Sequence, residues 1–448
     1  MKTVARFAPY IFTIILCLYC WNVNWGGKRW KGFFLADSNG YYSYLPAVFI
    51  YHDLSFSFID KVQKTDFAAR PDFDFRKETT IPNFDKWYCG TALAIVPFFL
   101  LGHIITLITG LDVNGYSFWY AWGLNIAAIF YCLAGLLALR RILSRYFQNP
   151  KMIAFVLGLI LFATNLFFYS TSEPAMSHVY SFAFINIFVL RAIRYGETQQ
   201  AKILPVLFML LAMIIIIRPV NGLIVLLLPF LAGSKENMVR IFAGLRNRIP
   251  VLLLSLLAFA CILSLQLVYY KIATGSFLVY SYGNESFHFL SPRLGAFLFS
   301  YKKGLFLYLP VILLSLTGFI FLYRKSKWQF YSLLFFAGIL IYVLSCWWNW
   351  WYGGSFGTRP IVEYLFVFAI LLAYTLNSIK RHMKRVFISL CLCCFLMCQV
   401  QTYQYRYYFI HWDEMNKERY WNVFMRVDLI VKKENPNADL LNKSSVPE

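Results

Sequence analysis

Six short stretches of this chain hold side chains that could do chemistry, and each borders a long apolar run. In LADSNGYYSYLPA, residues 35–47, Asp37 precedes Tyr41, Tyr42 and Tyr44. If the chain turns helical there, Asp37, Tyr41 and Tyr44 share one face at i, i+4 and i+7, and Pro46 ends or kinks the helix. Spacing leaves two readings of Asp37 open, an ordinary helix N-cap or a functional carboxylate. In WYCGT, 87–91, Trp87 and Tyr88 stand ahead of an apolar segment, the pattern of an aromatic anchor at the membrane surface. YSTSEPAMSH, 169–178, squeezes Glu173 and His178 between two apolar runs. A carboxylate held against a bilayer is costly unless it is exposed, paired or bound to a cation. Glu173 before Pro174 also suits a solvated turn, and His178 a helix cap.

Arg218 ends an apolar run, directly before Pro219 and Asn221, with no acidic residue near it in sequence. Phosphate is a fitting counter-ion, because the guanidinium fork binds its oxygens in a bidentate way; snorkelling to headgroups is the alternative. WWNWWYGGSFGTRP, 347–360, combines aromatic faces that stack on sugar rings, glycines that admit close backbone approach, and the cation Arg359. In the stretch from Tyr301 to Gly304, Lys302 and Lys303 add positive charge.

Membrane helices must position these residues. With 448 residues, 60% hydrophobic and only 14% charged, the chain is too apolar to coat a water-soluble globule. The net charge of +21 does not point to nucleic acid, since the cations cluster between apolar runs as a topology signal. Arg140 with Arg141, Arg324 with Lys325, and Lys380 with Arg381 are examples. With these clusters and the N-terminus on the cytoplasmic side, the chain reads as an all-α polytopic membrane protein with about eleven transmembrane helices. The first, about 8–24, is expected to be a retained helix and not a signal peptide. The others are expected near 117–138, 152–168, 179–195, 202–217, 219–232, 250–270, 304–323, 328–346, 361–378 and 385–401. The apolar run 88–109 breaks charge parity if it spans, and Pro97, Gly102 and His103 interrupt it. It therefore reads as an interfacial helix within a first outer loop, 25–116. This assignment puts every chemically unusual stretch on the outer face. The ten cysteines lack metal-site spacing and read as packing residues, and neither a Walker-type loop nor a dinucleotide fingerprint is present.

The order of these motifs resembles the C-type glycosyltransferase superfamily (GT-C), which includes protein O-mannosyltransferases and bacterial aminoarabinose transferases. It runs from a first helix to an acidic outer loop (Asp37), and on to a Tyr/Gly/Pro entry (Tyr88, Gly90, Pro97). A second acidic loop (Glu173), an Arg-Pro-x-Asn break (Arg218 to Asn221) and a late aromatic-glycine stretch ending in Arg359 follow. The resemblance implies transfer of a sugar from a polyprenyl-phosphate donor to a lipid, glycan or protein acceptor at the periplasmic face of a bacterial inner membrane. It implies Asp37 as general base, with Glu173 assisting at the acceptor or, in metal-using members, helping to hold a divalent cation such as Mg or Mn. Arg359, Arg218, Lys302 and Lys303 are then expected at the donor phosphate. Tyr41, Tyr44, Tyr88, His178, Trp351 and Tyr352 are expected at the sugar and acceptor.

The expected organisation is one transmembrane glycosyltransferase domain, 1–402, and a short outer tail, 403–448. Asp37 is followed by Ser38, where some members carry an Asp-Glu pair. The alternatives are a polysaccharide polymerase or ligase using a pyrophosphate-linked glycan, and a lipid or sugar transporter. Transporters more often carry ionisable groups near the bilayer midplane and internal repeats, neither of which is seen in the sequence.

Overall fold

Among the residues that the computed structural model describes, 2–432 and 435–437, helices form every regular element, and the only β pairing is one isolated bridge between Phe287 and Trp347. Labels follow chain order for the helices that matter here: α1 Lys2–Val23, α2 Asp37–Pro46, α3 Gly90–Thr109, α4 Phe118–Tyr146, α5 Pro150–Phe162, α6 Ser177–Thr198, α7 Ile203–Ile217, α8 Lys235–Arg246, α9 Ile249–Thr274, α10 Lys327–Ser345, α11 Leu365–Ser378 and α12 Arg381–Arg406. Seven helices among the described residues are long and apolar enough to cross a membrane, or eight if one sharply bent pair is a single span.

The expected run 304–323 is three pieces, Leu305–Tyr308, Pro310–Ser315 and Gly318–Lys325. Pro310 opens the second piece, where its missing N–H costs nothing. The expected run 152–168 is α5, a break at Ala163 to Asn165, and a short turn Leu166–Thr171. Run 219–232 opens as a 3₁₀ segment, Pro219–Leu227, and α8 follows at an angle of 118° to it. α8 has no buried residue and exposes Val239 and Phe242 among basic side chains, as an interfacial helix does.

Pro97, Gly102 and His103 do not interrupt α3, which is one continuous helix. The last two are packing features. A Cβ on Gly102 would lie 2.6 Å from the Trp119 carbonyl oxygen, and one on Gly123 2.5 Å from that of Phe98. Glycines on both helices thus let α3 and α4 approach backbone to backbone, the small-residue contact of membrane helices. His103 Nδ1 meets the Tyr120 hydroxyl of α4 at 2.7 Å.

The chain divides into two units. Unit I comprises Thr13–Ala138 and Tyr169–Asn284; unit II comprises the residues up to Phe12, Leu139–Phe168, and those from Glu285 onward. In unit I, α7 packs between α6 and α9, while α3 packs on α2. In unit II, α11 is apolar all round and buried from Leu365 to Leu376, as a helix enclosed by others must be. The expected tail boundary at 402/403 lies inside α12, which runs to Arg406; two short helices, Lys417–Val423 and Val427–Lys432, follow it. The tail's residues 433–434 and 438–448 lie outside the described residues.

Candidate functional site

In unit I, Asp37 is the first residue of α2 and not its cap. The cap position belongs to Ala36, whose side chain makes no capping bond. Ala36 sits at φ 50°, a conformation an L-residue rarely adopts, and its N–H donates to the Asp72 carbonyl at 2.7 Å. One turn on, Asn39 Nδ2 donates to the Phe73 carbonyl at 2.6 Å. Segment 72–73 thus pins the start of α2. Asp37 lies at the positive end of a helix, where a carboxylate is favoured, and is half-buried.

Gly40 has no side chain because the Trp87 ring occupies that space. Tyr41 packs edge-on to the same ring at 6.3 Å. Tyr44 is buried, with its hydroxyl donating to the Trp87 carbonyl at 2.7 Å and its ring against Phe56 and Tyr269. It therefore braces the core and does not offer its hydroxyl to an acceptor.

Segment 85–90 carries Tyr88 into the site. The Trp87 N–H donates to Asp85 Oδ1 at 2.9 Å, and the Cys89 N–H to Gln266 Oε1 of α9 at 2.8 Å. A Cβ on Gly90 would lie 2.5 Å from three backbone atoms of Ile216 and Ile217. Only glycine lets this segment dock against the end of α7.

Arg218 caps that end in extended conformation, and its Nη1 lies 3.2 Å from His178 Nδ1. A guanidinium has only donors, so Nδ1 accepts and the neutral ring carries its proton on Nε2. His178 is buried against Tyr169, with ring centroids 5.0 Å apart. Asn221 Nδ2 donates to Ser181 Oγ at 3.2 Å, so two side chains of the Arg-Pro-x-Asn break are pinned to α6. Glu173 is half-buried in the turn before α6, where its carbonyl accepts the Met176 N–H at 3.1 Å.

Tyr282 gathers these parts. Burial pushes its hydroxyl well above the usual tyrosine range; Tyr41, Tyr88 and Asp37 push the same way, and the Arg218 charge opposes them. Asp37, Tyr41, Tyr88 and Arg218 therefore all act on one hydroxyl. Beside them lies a cavity of about 420 Å³ with walls from α9, from Ile215 and Ile216 of α7, and from Leu278, Val279 and Tyr280. The residues of its lining that carry a polar group are Tyr88, Gln266, Tyr270 and Tyr280.

Unit II holds the remaining expected residues. Lys303 is buried, with Nζ donating to the Ser355 carbonyl and lying 5.1 Å from the Tyr405 ring centroid. Thr358 Oγ1 donates to the Lys303 carbonyl at 2.7 Å. Lys302 Nζ sits 3.7 Å over the Trp351 ring and 3.3 Å from Asp413 Oδ1. That face of Trp351 is closed to a sugar. Tyr352 is buried at φ 60° with its hydroxyl on the Leu344 carbonyl at 2.9 Å, so it shapes the loop and does not present a polar group. Arg359 opens the 3₁₀ turn Arg359–Tyr364, and Asn165 Nδ2 holds the approach to it by the carbonyls of Phe356 (3.1 Å) and Thr358 (3.4 Å).

Sequence reasoning missed Tyr282, Gln266, Asp85, Asn165 and Asp413. Gln266 and Asn165 did carry a signal, as lone amides in apolar runs. Asp85 is fully buried, and its second oxygen has no hydrogen-bond partner among the described residues. Burial drives its carboxyl well above the usual range, against the Trp87 N–H and the Lys86 charge. A raised folded value means its favourable contribution is complete below the unfolded value of about 4 and is lost as pH rises through the folded one. Asp85→Asn, which keeps the acceptor for Trp87, is therefore expected to match or exceed wild-type thermal stability at pH 7 and to flatten its fall above pH 4. Asp85→Ala strands the Trp87 N–H and is expected to cost about 1–3 kcal/mol. Thermal midpoints of both variants across pH 4–8 check this; an Asn variant that melts like the Ala variant would refute it.

No three His, Cys, Asp or Glu side chains among the described residues converge as a metal donor set. No family model, curated protein or solved structure matches the chain, so the likeness to C-type glycosyltransferases rests on the residues themselves.

Proposed function

We propose that this protein is a C-type glycosyltransferase that moves a sugar from a polyprenyl-phosphate donor to an envelope acceptor. The observation that carries the reading is the cavity of unit I. Its mainly apolar walls suit an isoprenoid chain, and Tyr88 belongs both to its lining and to the group around Tyr282 with Asp37 and Arg218. An amphiphile with an anionic head fits that pairing of apolar walls with a fixed guanidinium.

In this reading an acceptor hydroxyl attacks the anomeric carbon while Asp37 takes its proton. The bond from that carbon to the lipid phosphate oxygen breaks, and the phosphate leaves with the electron pair. Arg218, aimed by His178, offsets the charge that develops on it. Lys302, Lys303 and Arg359 are the phosphate-binding cations of unit II, and Glu173 assists at the acceptor. The chain crosses a bacterial inner membrane about eleven times, N-terminus inside, with the short and broken helices counted as spans; α3, though long and apolar enough to cross, is put in the interface by charge parity alone.

The test is the purified protein in detergent with a synthetic polyprenyl-phosphate hexose and envelope extract as acceptor, read by mass spectrometry. Transfer without a gradient supports the reading. Turnover of pyrophosphate-linked glycans only would replace it with a polymerase or ligase, and movement seen only across sealed vesicles would replace it with a transporter.

A further inference from the structure

Two hydrogen-bond donors from different loops of unit II converge on a single carboxylate oxygen. Asp413 Oδ1 accepts the Trp351 indole N–H at 2.6 Å and lies 3.3 Å from Lys302 Nζ. The same ammonium rests on the Trp351 ring, so cation, indole edge and anion form one closed group. A fixed ammonium and an N–H aimed at one oxygen make an anion site, and the chain's own carboxylate stands in it.

This carboxylate is not required as a clamp. Loops 300–304 and 347–358 are already joined by Lys303 to the Ser355 carbonyl and by Thr358 to the Lys303 carbonyl. The tail is tied down separately, by Trp421 Nε1 to the Tyr301 hydroxyl at 3.3 Å and by Gln401 to the Tyr420 hydroxyl at 2.8 Å. The turn that carries Asp413 holds itself, because His411 Nδ1 accepts the Asp413 and Glu414 N–H groups at 3.1 and 3.0 Å. The Asp413 side chain can therefore leave its two donors without unfolding the segment. The pair is also partly wet, with side-chain exposures of 25% for Lys302 and 29% for Asp413. Ion pairs this accessible are weakly held, and a ligand bringing its own charged oxygen can take the place of one.

We propose that Lys302 and Trp351 form a binding site for a phosphate-type oxyanion, and that Asp413 fills it until the ligand arrives. Asp413 is thus a tethered competitor that sets how much anion is needed for occupancy. The choice of phosphate rests on the function proposed above, whereas the site itself requires no sugar transfer.

The experiment measures equilibrium binding and hydrogen exchange on the full chain in phosphatidylcholine nanodiscs. One arm adds polyprenyl phosphate without a sugar to the bilayer, and the other adds inorganic phosphate to the buffer. Asp413→Asn keeps shape and acceptor but removes the charge, and is expected to tighten binding by up to about fivefold, the worth of a partly exposed ion pair. Lys302→Gln is expected to weaken it by a similar factor. In wild type, ligand should speed amide exchange across 411–415 while α11 and α12 stay unchanged. A response to polyprenyl phosphate alone assigns the site to a lipid headgroup, and a response to both assigns it to phosphate in general. Unchanged or weaker binding by Asp413→Asn with native exchange in α11 and α12 overturns the proposal, as does exchange at 411–415 indifferent to both ligands. Should Asp413→Asn misfold, wild-type exchange at 411–415 decides the matter. Because nothing here depends on turnover, a chain that binds phosphate this way but transfers no sugar would sink the glycosyltransferase reading and leave this one standing.

Discussion

Asp37→Asn is expected to lower sugar transfer by roughly 10²–10⁴-fold, the share a positioned general base supplies, with donor binding largely intact. The substitution is close to isosteric at the first position of α2. Losing the charge there forfeits only a helix-dipole term of about 0.3–1 kcal/mol, too little to unfold the protein. The start of the helix is held instead by the Ala36 N–H and the Asn39 side chain on segment 72–73, neither of which changes. Normal melting with lost transfer therefore isolates chemistry from stability. Asp37→Glu, which keeps a carboxylate on a longer arm, should recover part of the rate and keep the acid limb of the pH profile. Full activity in the Asn variant would remove Asp37 from the chemistry.

Gly90→Ala is the second large effect, and it works through backbone geometry. The added Cβ would meet the Ile216 carbonyl carbon and oxygen and the Ile217 nitrogen at 2.5 Å. Backbone atoms inside a helix end cannot swing aside as a side chain can, so segment 87–90 must move off α7. That shift pulls the Cys89 N–H from Gln266 and parts Tyr88 from the cavity wall at Ile215 and Ile216. Overpacking of this kind costs about 1–3 kcal/mol or more. In the proposed transfer, displacing Tyr88 by an ångström is expected to cost a further factor of about 10² in rate. Thermal melting and transfer assays on Gly90→Ala should both fall well below wild type. Gly26→Ala, whose Cβ would meet nothing within 4 Å, should behave as wild type in both. A stable Gly90→Ala variant with wild-type transfer would show that the close approach to α7 is dispensable.

Much of the architecture is legible in composition, because an all-helical membrane chain follows from long apolar runs and the scarcity of charge. The Arg-Pro-x-Asn break is legible for the same reason, since a proline and an arginine both end an apolar run. Pro97, Gly102 and His103 mislead because the property that matters is not local. A glycine reads as a break until the partner helix, some twenty residues away, is seen pressing on it. Tyr44 and Tyr352 mislead in the opposite sense. Their spacing and chemistry suit a ligand, but each hydroxyl is taken by a carbonyl, Trp87 for one and Leu344 for the other. Asp413 and Tyr282 sit in irregular segments with no period, so only tertiary folding shows what they face. Asp85 is hidden for another reason: an acid in a loop reads as solvated, and nothing in its neighbours announces complete burial.

Ala36 gives the site one further property. Glycine would enter that left-handed geometry freely and would leave it just as freely, whereas alanine holds it only while Asp72 and the start of α2 hold it. The methyl group closes off most of the conformations that a more pliant residue would sample. The backbone that carries Asp37 is thus fixed in folding, at a cost of about 1–3 kcal/mol, so in the proposed transfer its carboxylate would not have to be ordered anew for each substrate.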